Sequence, residues 1–153
     1  MKLDGMHTFD APRKLVWDTL QDPQSLRNAI PGVETFEQVG PDEYHAKVKI
    51  GVAAVKGTYT SKIRVFDQQE PTHYKLSIDA NGPTGFVKGE GTFDLQEDGP
   101  DKTVVNWSGD AQVGGLVAGV GQRLLTPAAK MTVGQLWKAM DGQIKERQER
   151  QGA

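Results

Sequence analysis

Apolar and polar residues alternate with a period of two along most of the chain, and this pattern predicts β-strands. One face of each segment carries apolar side chains and the other carries Lys, Arg, Asp or Glu, which is typical of an antiparallel sheet with one dry face. A first strand is predicted at Lys2–Asp10. The other six segments are Val33–Val39, Glu43–Val52, Gly57–Asp67, His73–Ala80, Thr84–Gln96 and Thr103–Val113.

Two short helices are predicted between the first strand and the others. The first begins after Asp10-Ala-Pro12 and has an apolar side that includes Leu15 and Leu20. The second spans Pro23–Ala29, because Asp22 is a capping residue and Pro is tolerated in a first helical turn. The following Pro-Gly pair cannot continue a helix, so the chain is expected to turn back there.

Beyond Gly114-Gly115 the apolar spacing changes from two residues to a helical repeat. Apolar residues recur from Leu116 to Ile144, which predicts one long C-terminal helix that ends near Gln148. A curved antiparallel sheet of about seven strands wrapped around this helix would bury both dry faces. The predicted fold is therefore α+β, with the two short helices after the first strand.

Composition limits the functions that this chain can have. Its 153 residues fit a single domain, 1–153, and a net charge of −2 provides no basic field to attract nucleic acid. There is no cysteine, and the three histidines are too scattered to suggest a metal site. The N-terminal segment lacks the apolar core of a signal peptide, so a cytoplasmic location is expected.

The inward faces of the strands and the apolar side of the long helix are expected to enclose an apolar cavity. His7 is the one readily ionisable side chain on the inward faces, and a hydrogen-bonded structural role is favoured for it over ligand contact. No catalytic residue is therefore expected. Tyr59 and Tyr74 are either core residues with tethered hydroxyl groups or polar contacts that orient a ligand. The expected ligand contacts are Tyr59, Ile63, Tyr74, Leu76, Val87, Gly89, Gly91, Phe93, Trp107, Leu116, Val120, Leu124 and Met131.

Several short motifs occur together over nearly the whole chain, and together they carry a resemblance to a known family. They are Ala11-Pro-Arg-Lys-Leu-Val-Trp17, Asp22-Pro23, Ile30-Pro-Gly-Val-Glu34, Val48-Lys-Ile-Gly51, Val55-Lys-Gly57, Gly89-Glu-Gly91, Asp110-Ala-Gln-Val-Gly-Gly-Leu116, Gly119 and Gly121-Gln-Arg-Leu-Leu125. With these motifs in this order, the chain resembles the G-subunit family of carbon monoxide dehydrogenase, in the SRPBCC (START/polyketide cyclase-like) superfamily.

The resemblance implies a helix-grip fold and a non-catalytic carrier of a hydrophobic ligand, a quinone or a lipid. The carrier would be accessory to a CO dehydrogenase-type molybdenum oxidoreductase and peripheral to the inner face of the membrane. The bound quinone or lipid would be cargo, with no separate cofactor or metal. Two alternatives remain open: an assembly or membrane-recruitment factor for that enzyme, and a cyclase- or hydrolase-type enzyme of the same fold.

Overall fold

The computed structural model describes residues 1–51 and 56–152, apart from the side chains of Val120 and Gln122. The predicted end of the third strand at Val52 lies outside the described residues. The strands are β1 (Lys2–Phe9), β2 (Val33–Gly40), β3 (Glu43–Ile50), β4 (Gly57–Gln69), β5 (His73–Gly82), β6 (Gly85–Glu97) and β7 (Thr103–Gly114). The helices are α1 (Arg13–Gln21), α2 (Pro23–Ala29), a 3-10 helix (Gly115–Val120) and α3 (Gln122–Gly152).

The seven strands form one antiparallel sheet in the order β1-β7-β6-β5-β4-β3-β2. Strands β2 to β7 are each paired with their neighbour in sequence, and β1 closes the sheet by pairing with β7, with Leu3 opposite Gly109 and His7 opposite Val105. The predicted α+β architecture is confirmed: a curved antiparallel sheet, two short helices after β1 and a long C-terminal helix.

The core lies where the C-terminal half of α3 and helix α1 pack against one end of the sheet. Three residues of α3, Trp137, Met140 and Ile144, are buried there, each less than 7% exposed. They share one apolar cluster, whose other buried members are Phe9, Ala11, Val16, Trp17, Leu20, Ala29, Tyr44, Val65, Tyr74, Leu95 and Val105. This cluster fills one end of the inner face of the sheet. A cavity can therefore form only beyond the cluster, toward the other end.

The long helix begins later than the apolar spacing predicts. Gly121 has φ +84°, a left-handed conformation that glycine adopts without strain, and it separates the 3-10 helix from α3. The 3-10 helix is fixed by Val117, which is buried and donates its backbone N–H to the Thr84 carbonyl oxygen at 2.8 Å. At the other end, α3 continues to Gly152, beyond the predicted end near Gln148.

Helix α2 is anchored to α3 by one carboxylate. Asp22 Oδ1 accepts the backbone N–H of Gln24 at 3.0 Å and caps α2, while Oδ2 accepts Arg147 Nη2 at 2.6 Å. Both side chains of the ion pair are less than one-third exposed. The Asp22-Pro23 signal that begins α2 therefore also fixes the position of this helix on the sheet.

Replacing Asp22 with Ala removes the cap and leaves the partly buried guanidinium of Arg147 without its carboxylate. We expect the free energy of unfolding to fall by about 2 kcal/mol, measured by urea denaturation. Lys14→Ala is the control, because Lys14 is exposed and its pairs with Asp18 and Glu70 lie in solvent. An equal loss in both variants would contradict a specific anchoring role for Asp22.

His73 lies between two carboxylates at the β4–β5 turn. Its Nδ1 is 2.8 Å from Asp94 Oδ1, and its Nε2 is 3.3 Å from Asp67 Oδ2. The hydrogen bond to Asp94 raises the pKa of His73 above its ordinary value of 6.5, with a smaller contribution from Asp67. The side chain of His73 is 18% exposed.

A raised pKa in the folded state stabilises the protein while the imidazole is protonated. This contribution is present below the unfolded-state pKa and disappears as the pH rises through the higher folded-state value. We expect the melting temperature of wild type to exceed that of His73→Asn by more at about pH 5.5 than at about pH 8.5. The exposed His45→Asn is the control, and a pH-independent difference for His73→Asn would contradict the pairing.

Candidate functional site

An apolar cavity of about 310 Å³ lies beside the core, between the inner face of the sheet, α2 and the middle of α3. Its size is at the lower end of the range for small-molecule sites, roughly 300–1,000 Å³. The cavity begins where the core cluster ends. Along β6, for example, Leu95 is buried in the core, whereas Phe93, Gly91, Gly89 and Val87 line the cavity in turn.

Three inward-facing glycines on two neighbouring strands leave the space that the cavity occupies. Gly91 and Gly109 are opposite each other in the β6–β7 pairing, and Gly89 is opposite Ala111. Side chains at these positions would fill the gap between the sheet and α3. The sequence predicts Gly89 and Gly91 as ligand contacts, and in the structure they and Gly109 line the cavity at a place where no side chain fills the space beside α3.

Helices and one edge strand complete the walls of the cavity. The anchored helix α2 contributes Leu26, followed by Ile30 at its end, and β2 contributes Phe36, which stacks on Tyr44 at 5.1 Å. Helix α3 contributes Val133, Leu136 and Trp137, which follow the helical repeat on one side. The remaining lining residues are Met1, Leu3, Ile63, Leu76, Ile78, Glu90, Trp107, Ser108 and Asp110.

The inner surface is suited to binding and poorly suited to acid–base chemistry. Of the described residues that line the cavity, Glu90 and Asp110 are the ionisable side chains, and both are exposed on positions that alternate with the inward glycines. Catalysis needs a nucleophile, an acid or a base beside the substrate. Aliphatic and aromatic walls instead favour a ligand that removes apolar area from water, at roughly 25 cal/mol per Å².

Most of the predicted contacts from the strands face this cavity. They are Ile63, Leu76, Val87, Gly89, Gly91, Phe93 and Trp107. The period of two in the sequence identifies which side of each strand faces inward, so these positions follow directly from it. That they contact a ligand stays a prediction.

The two predicted tyrosines lie outside the cavity lining. Tyr59 is buried, its ring packs over Gly82, and its hydroxyl is 2.7 Å from Thr84 Oγ1. Tyr74 lies in the core, stacked on Phe93 at 4.7 Å, and burial raises the pKa of its hydroxyl. Both positions favour the structural alternative of the sequence analysis, in which these tyrosines are core residues.

Three of the four predicted contacts from the C-terminal region also lie outside the cavity lining. Leu116, Leu124 and Met131 are 78%, 61% and 52% exposed, and none of them lines the cavity. The side chain of Val120 is outside the described part of the structure. Ligand contact by these four residues stays a prediction, and Leu116, Leu124 and Met131 are not among the residues that line the cavity.

The residues of α3 that line the cavity, Val133, Leu136 and Trp137, are not among the ligand contacts that the sequence predicts. The sequence signal for them is the apolar repeat of α3, which contains Leu136 and Trp137, but the repeat does not show which turn meets the glycines. Leu26 lies on α2, and Ile30 directly follows the helix. A signal for these two is the Pro-Gly turn, which returns the chain across the sheet.

His7 supports the cavity from behind without lining it. Its Nε2 is 2.8 Å from Asp141 Oδ1, and its ring stacks on Trp137 at 5.4 Å with an interplanar angle of 12°. The histidine is therefore hydrogen-bonded, as expected of a structural residue. It connects β1 to α3 at the level of the cavity wall.

A groove of about 520 Å³ adjoins the cavity near the start of α3. It shares Met1 and Ala111 with the cavity and is bordered by Ala118, Gly121 and Leu125. Among the described residues, no cluster of three or more His, Asp or Glu side chains is placed to hold a metal ion. None of the described helices combines the length and apolar character needed to cross a bilayer.

Comparisons with known proteins agree with this architecture. The family model for the G subunit of carbon monoxide dehydrogenase (CoxG) matches residues 5–145. The crystal structure of a conserved protein from Geobacillus kaustophilus shares 36% identity, with a TM-score of 0.92 over 95% of this chain and 96% of that chain. No protein with a curated description matches significantly.

Two more distant structures share the fold alone. A START superfamily protein from Mycobacterium smegmatis is 16% identical, with a TM-score of 0.74 over 95% of this chain and 97% of that chain. The Zhui aromatase/cyclase from Streptomyces sp. R1128 is also 16% identical, with a TM-score of 0.70 over 96% and 94%. The family match extends from β1 almost to the end of α3, so the chain belongs to the carbon monoxide dehydrogenase G-subunit (CoxG) family.

Proposed function

We propose that this protein is a non-catalytic carrier of a hydrophobic small molecule. The observation that carries this proposal is the cavity beneath Gly89, Gly91 and Gly109, which is enclosed by apolar walls and covered by α2. A void of this size in a packed domain costs dispersion contacts and stability, so a bound apolar molecule is the natural occupant.

The cargo that we propose is a quinone or a lipid, and the partner is a CO dehydrogenase-type molybdenum oxidoreductase. Support for the partner comes from the family, whose description names a subunit of carbon monoxide dehydrogenase. Support for the cargo comes from the walls, which offer aromatic and aliphatic surfaces to a flat or chain-like apolar molecule. The molecule would be carried and released, rather than retained as a cofactor.

A carrier fits the site better than the cyclase or hydrolase alternative. The aromatase/cyclase relative shares only the fold. In this chain the buried Tyr59 hydroxyl is held by Thr84, and His7 is paired with Asp141 behind the cavity wall. The described residues on the inward face of the lining include no ionisable side chain that could act as an acid or a base.

We also propose that the carrier is cytoplasmic and docks reversibly on the inner face of an anionic membrane. The docking face is one side of α3 and consists of Arg123, Leu124, Pro127, Lys130, Met131, Gly134 and Lys138. These positions fall within roughly 120° of the helix circumference, and all of them are exposed. Exposed leucine and methionine flanked by basic residues match a lipid interface.

The charge distribution favours an anionic lipid surface as the occupant of this face. The protein has a net charge of −2, yet no acidic residue occurs between Asp110 and Asp141. The basic residues of this stretch are Arg123, Lys130 and Lys138, each exposed. Docking through this face would bring the adjoining groove near the bilayer, where an apolar cargo could pass without crossing water. The same membrane contact would also suit the alternative function, an assembly or membrane-recruitment factor for the enzyme.

Replacing Gly109 with Leu tests the carrier proposal, because it fills the cavity with little strain. A Cβ at Gly109 would meet only the Glu90 carbonyl oxygen, at 3.6 Å, whereas at Gly91 it would meet the Phe93 ring at 3.1 Å. We expect Gly109→Leu to remain folded and to bind the apolar fluorescent probe N-phenyl-1-naphthylamine at least about tenfold more weakly, measured by titration.

Gly119→Leu is the matched control for this experiment. A Cβ at Gly119 meets nothing within 4 Å, and this residue lies on the 3-10 helix outside the cavity. We expect its affinity for the probe to equal that of wild type. Unchanged probe binding by a folded Gly109→Leu variant would contradict the carrier proposal.

The docking face predicts a preference between two kinds of vesicle. Wild type should co-sediment with phosphatidylglycerol vesicles more strongly than with phosphatidylcholine vesicles, because each basic residue near an anionic surface contributes about 1 kcal/mol. The double variant Arg123→Glu/Lys130→Glu should lose this preference.

The double variant Lys62→Glu/Arg150→Glu is the control, because it makes the same change in net charge outside the docking face. Lys62 is exposed on the sheet, and Arg150 is exposed on the side of α3 away from the docking face. We expect this variant to retain most of the preference for phosphatidylglycerol. Equal co-sedimentation of wild type and both variants would refute the proposed face.

A further inference from the structure

The indole ring of Trp107 lies over a glycine of the neighbouring strand, at the wall of the cavity. Trp107 is directly opposite Gly5 in the β1–β7 pairing. A Cβ at Gly5 would lie 2.7 Å from Cζ2 and 2.9 Å from Cε2 of the indole, which is closer than real Cβ atoms approach other atoms. The indole therefore occupies the place that a side chain at position 5 would take. Trp107 is a lining residue of the cavity, whereas Gly5 is not.

The backbone conformation at position 5 does not require glycine. Gly5 lies inside β1 and is not among the glycines with a left-handed φ. Glycine inside a strand is unfavourable, because it loses much conformational freedom on folding and has no side chain to pack. A close approach by another group gives a reason for glycine at such a position. At Gly5 the group that approaches is the ring of Trp107.

The surroundings of Trp107 leave the cavity as the space into which its ring can move. On the side of the core, the ring of Trp137 lies at a centroid distance of 6.4 Å. On the sheet, Phe93 is directly opposite Trp107 in the β6–β7 pairing. Protein interiors are close-packed, so a ring that is pushed away from β1 moves toward unfilled volume. That volume is the cavity of about 310 Å³ that Trp107 lines.

From this contact we infer that Gly5 is a positioning residue that sets the size of the apolar ligand that the cavity accepts. The inference rests on the proposed carrier function. Because Gly5 has no side chain, the indole of Trp107 lies against β1 and leaves the cavity open to bulky ligands. A methyl group at position 5 pushes the indole into the cavity, which excludes large apolar molecules before small ones. Gly5 thus acts on ligand size through Trp107, without touching the ligand.

Two apolar probes that share one ring system test the inference. The smaller is 1-naphthylamine, and the larger, N-phenyl-1-naphthylamine, carries an additional phenyl group. We expect Gly5→Ala to weaken binding of the larger probe about tenfold and binding of the smaller probe by less than about twofold, measured by fluorescence titration. Partial unfolding would instead lower both affinities by the same factor, so the ratio of the two affinities reports on the space in the cavity.

The double variant Gly5→Ala/Trp107→Leu shows whether Gly5 acts through Trp107. Leucine is apolar but has no ring that would meet the new Cβ, so the cavity keeps its space. We expect the double variant to bind the larger probe within about twofold of Trp107→Leu alone, although Gly5→Ala weakens this binding about tenfold when Trp107 is present. A merely structural role of Gly5 would give the same loss with either residue at position 107.

Gly82→Ala is the matched control, because Gly82 is also covered by an aromatic ring. A Cβ at Gly82 would lie 2.6 Å from Cδ1 of Tyr59, a contact as close as the one at Gly5. Neither Gly82 nor Tyr59 is among the described residues that line the cavity. We expect Gly82→Ala to be less stable than wild type and to keep the wild-type ratio of affinities for the two probes.

The possible outcomes separate this inference from the proposed function. If wild type does not bind the larger probe, both the carrier proposal and the role of Gly5 fail. If wild type binds it, but Gly5→Ala does not fold, binds it unchanged or loses both probes equally, the carrier stands and the role of Gly5 is overturned. A selective loss that persists in the double variant also overturns this role. A selective loss of the larger probe that Trp107→Leu removes supports the inference.

Discussion

The C-terminal half of α3 packs on one end of the inner face of the sheet, and the position of the cavity depends on this contact. Trp137, Met140 and Ile144 fill that end together with Phe9 and residues of α1. Gly89, Gly91 and Gly109 carry no side chains where Val133, Leu136 and Trp137 of α3 face the sheet, so the space between helix and sheet stays unfilled there. The core and the cavity are therefore two consequences of one packing arrangement.

Helix α2 depends on the same contact. Asp22 caps α2 and is paired with Arg147 of α3, so the helix that covers the cavity is fixed to the helix that supports it. The 3-10 helix is attached separately, through Val117 and Thr84, and belongs to the other end of the sheet. A ligand can thus be enclosed between elements that are anchored at the core, while the docking face of α3 remains exposed.

Local sequence signals predict the strands and α2 well because they do not depend on distant contacts. The alternation in Glu43–Ile50 identifies both faces of β3, and Asp22-Pro23 with Pro31-Gly32 gives the bounds of α2. The start of α3 could not be predicted in the same way. Several glycines lie between Gly114 and Gly121, and only the fold shows that Gly121 takes the left-handed conformation that ends the 3-10 helix.

In the candidate site, too, local sequence signals predict some residues, whereas others depend on distant contacts. Inward positions of the strands, such as Ile63 and Trp107, follow from a period of two. Helical spacing gives an apolar side for α3, but the sequence alone does not show that Leu124 and Met131 are exposed, because their exposure depends on tertiary packing.

The central claim is that the cavity carries an apolar molecule, and the most direct measurement is the identification of what the protein retains from cells. Protein purified without detergent would be extracted with organic solvent, and the extract analysed and quantified by mass spectrometry. The account predicts one apolar compound in near-stoichiometric amount that is absent from an extract of the cavity-filled Gly109→Leu variant. An equal yield of the same compound from both proteins would contradict it.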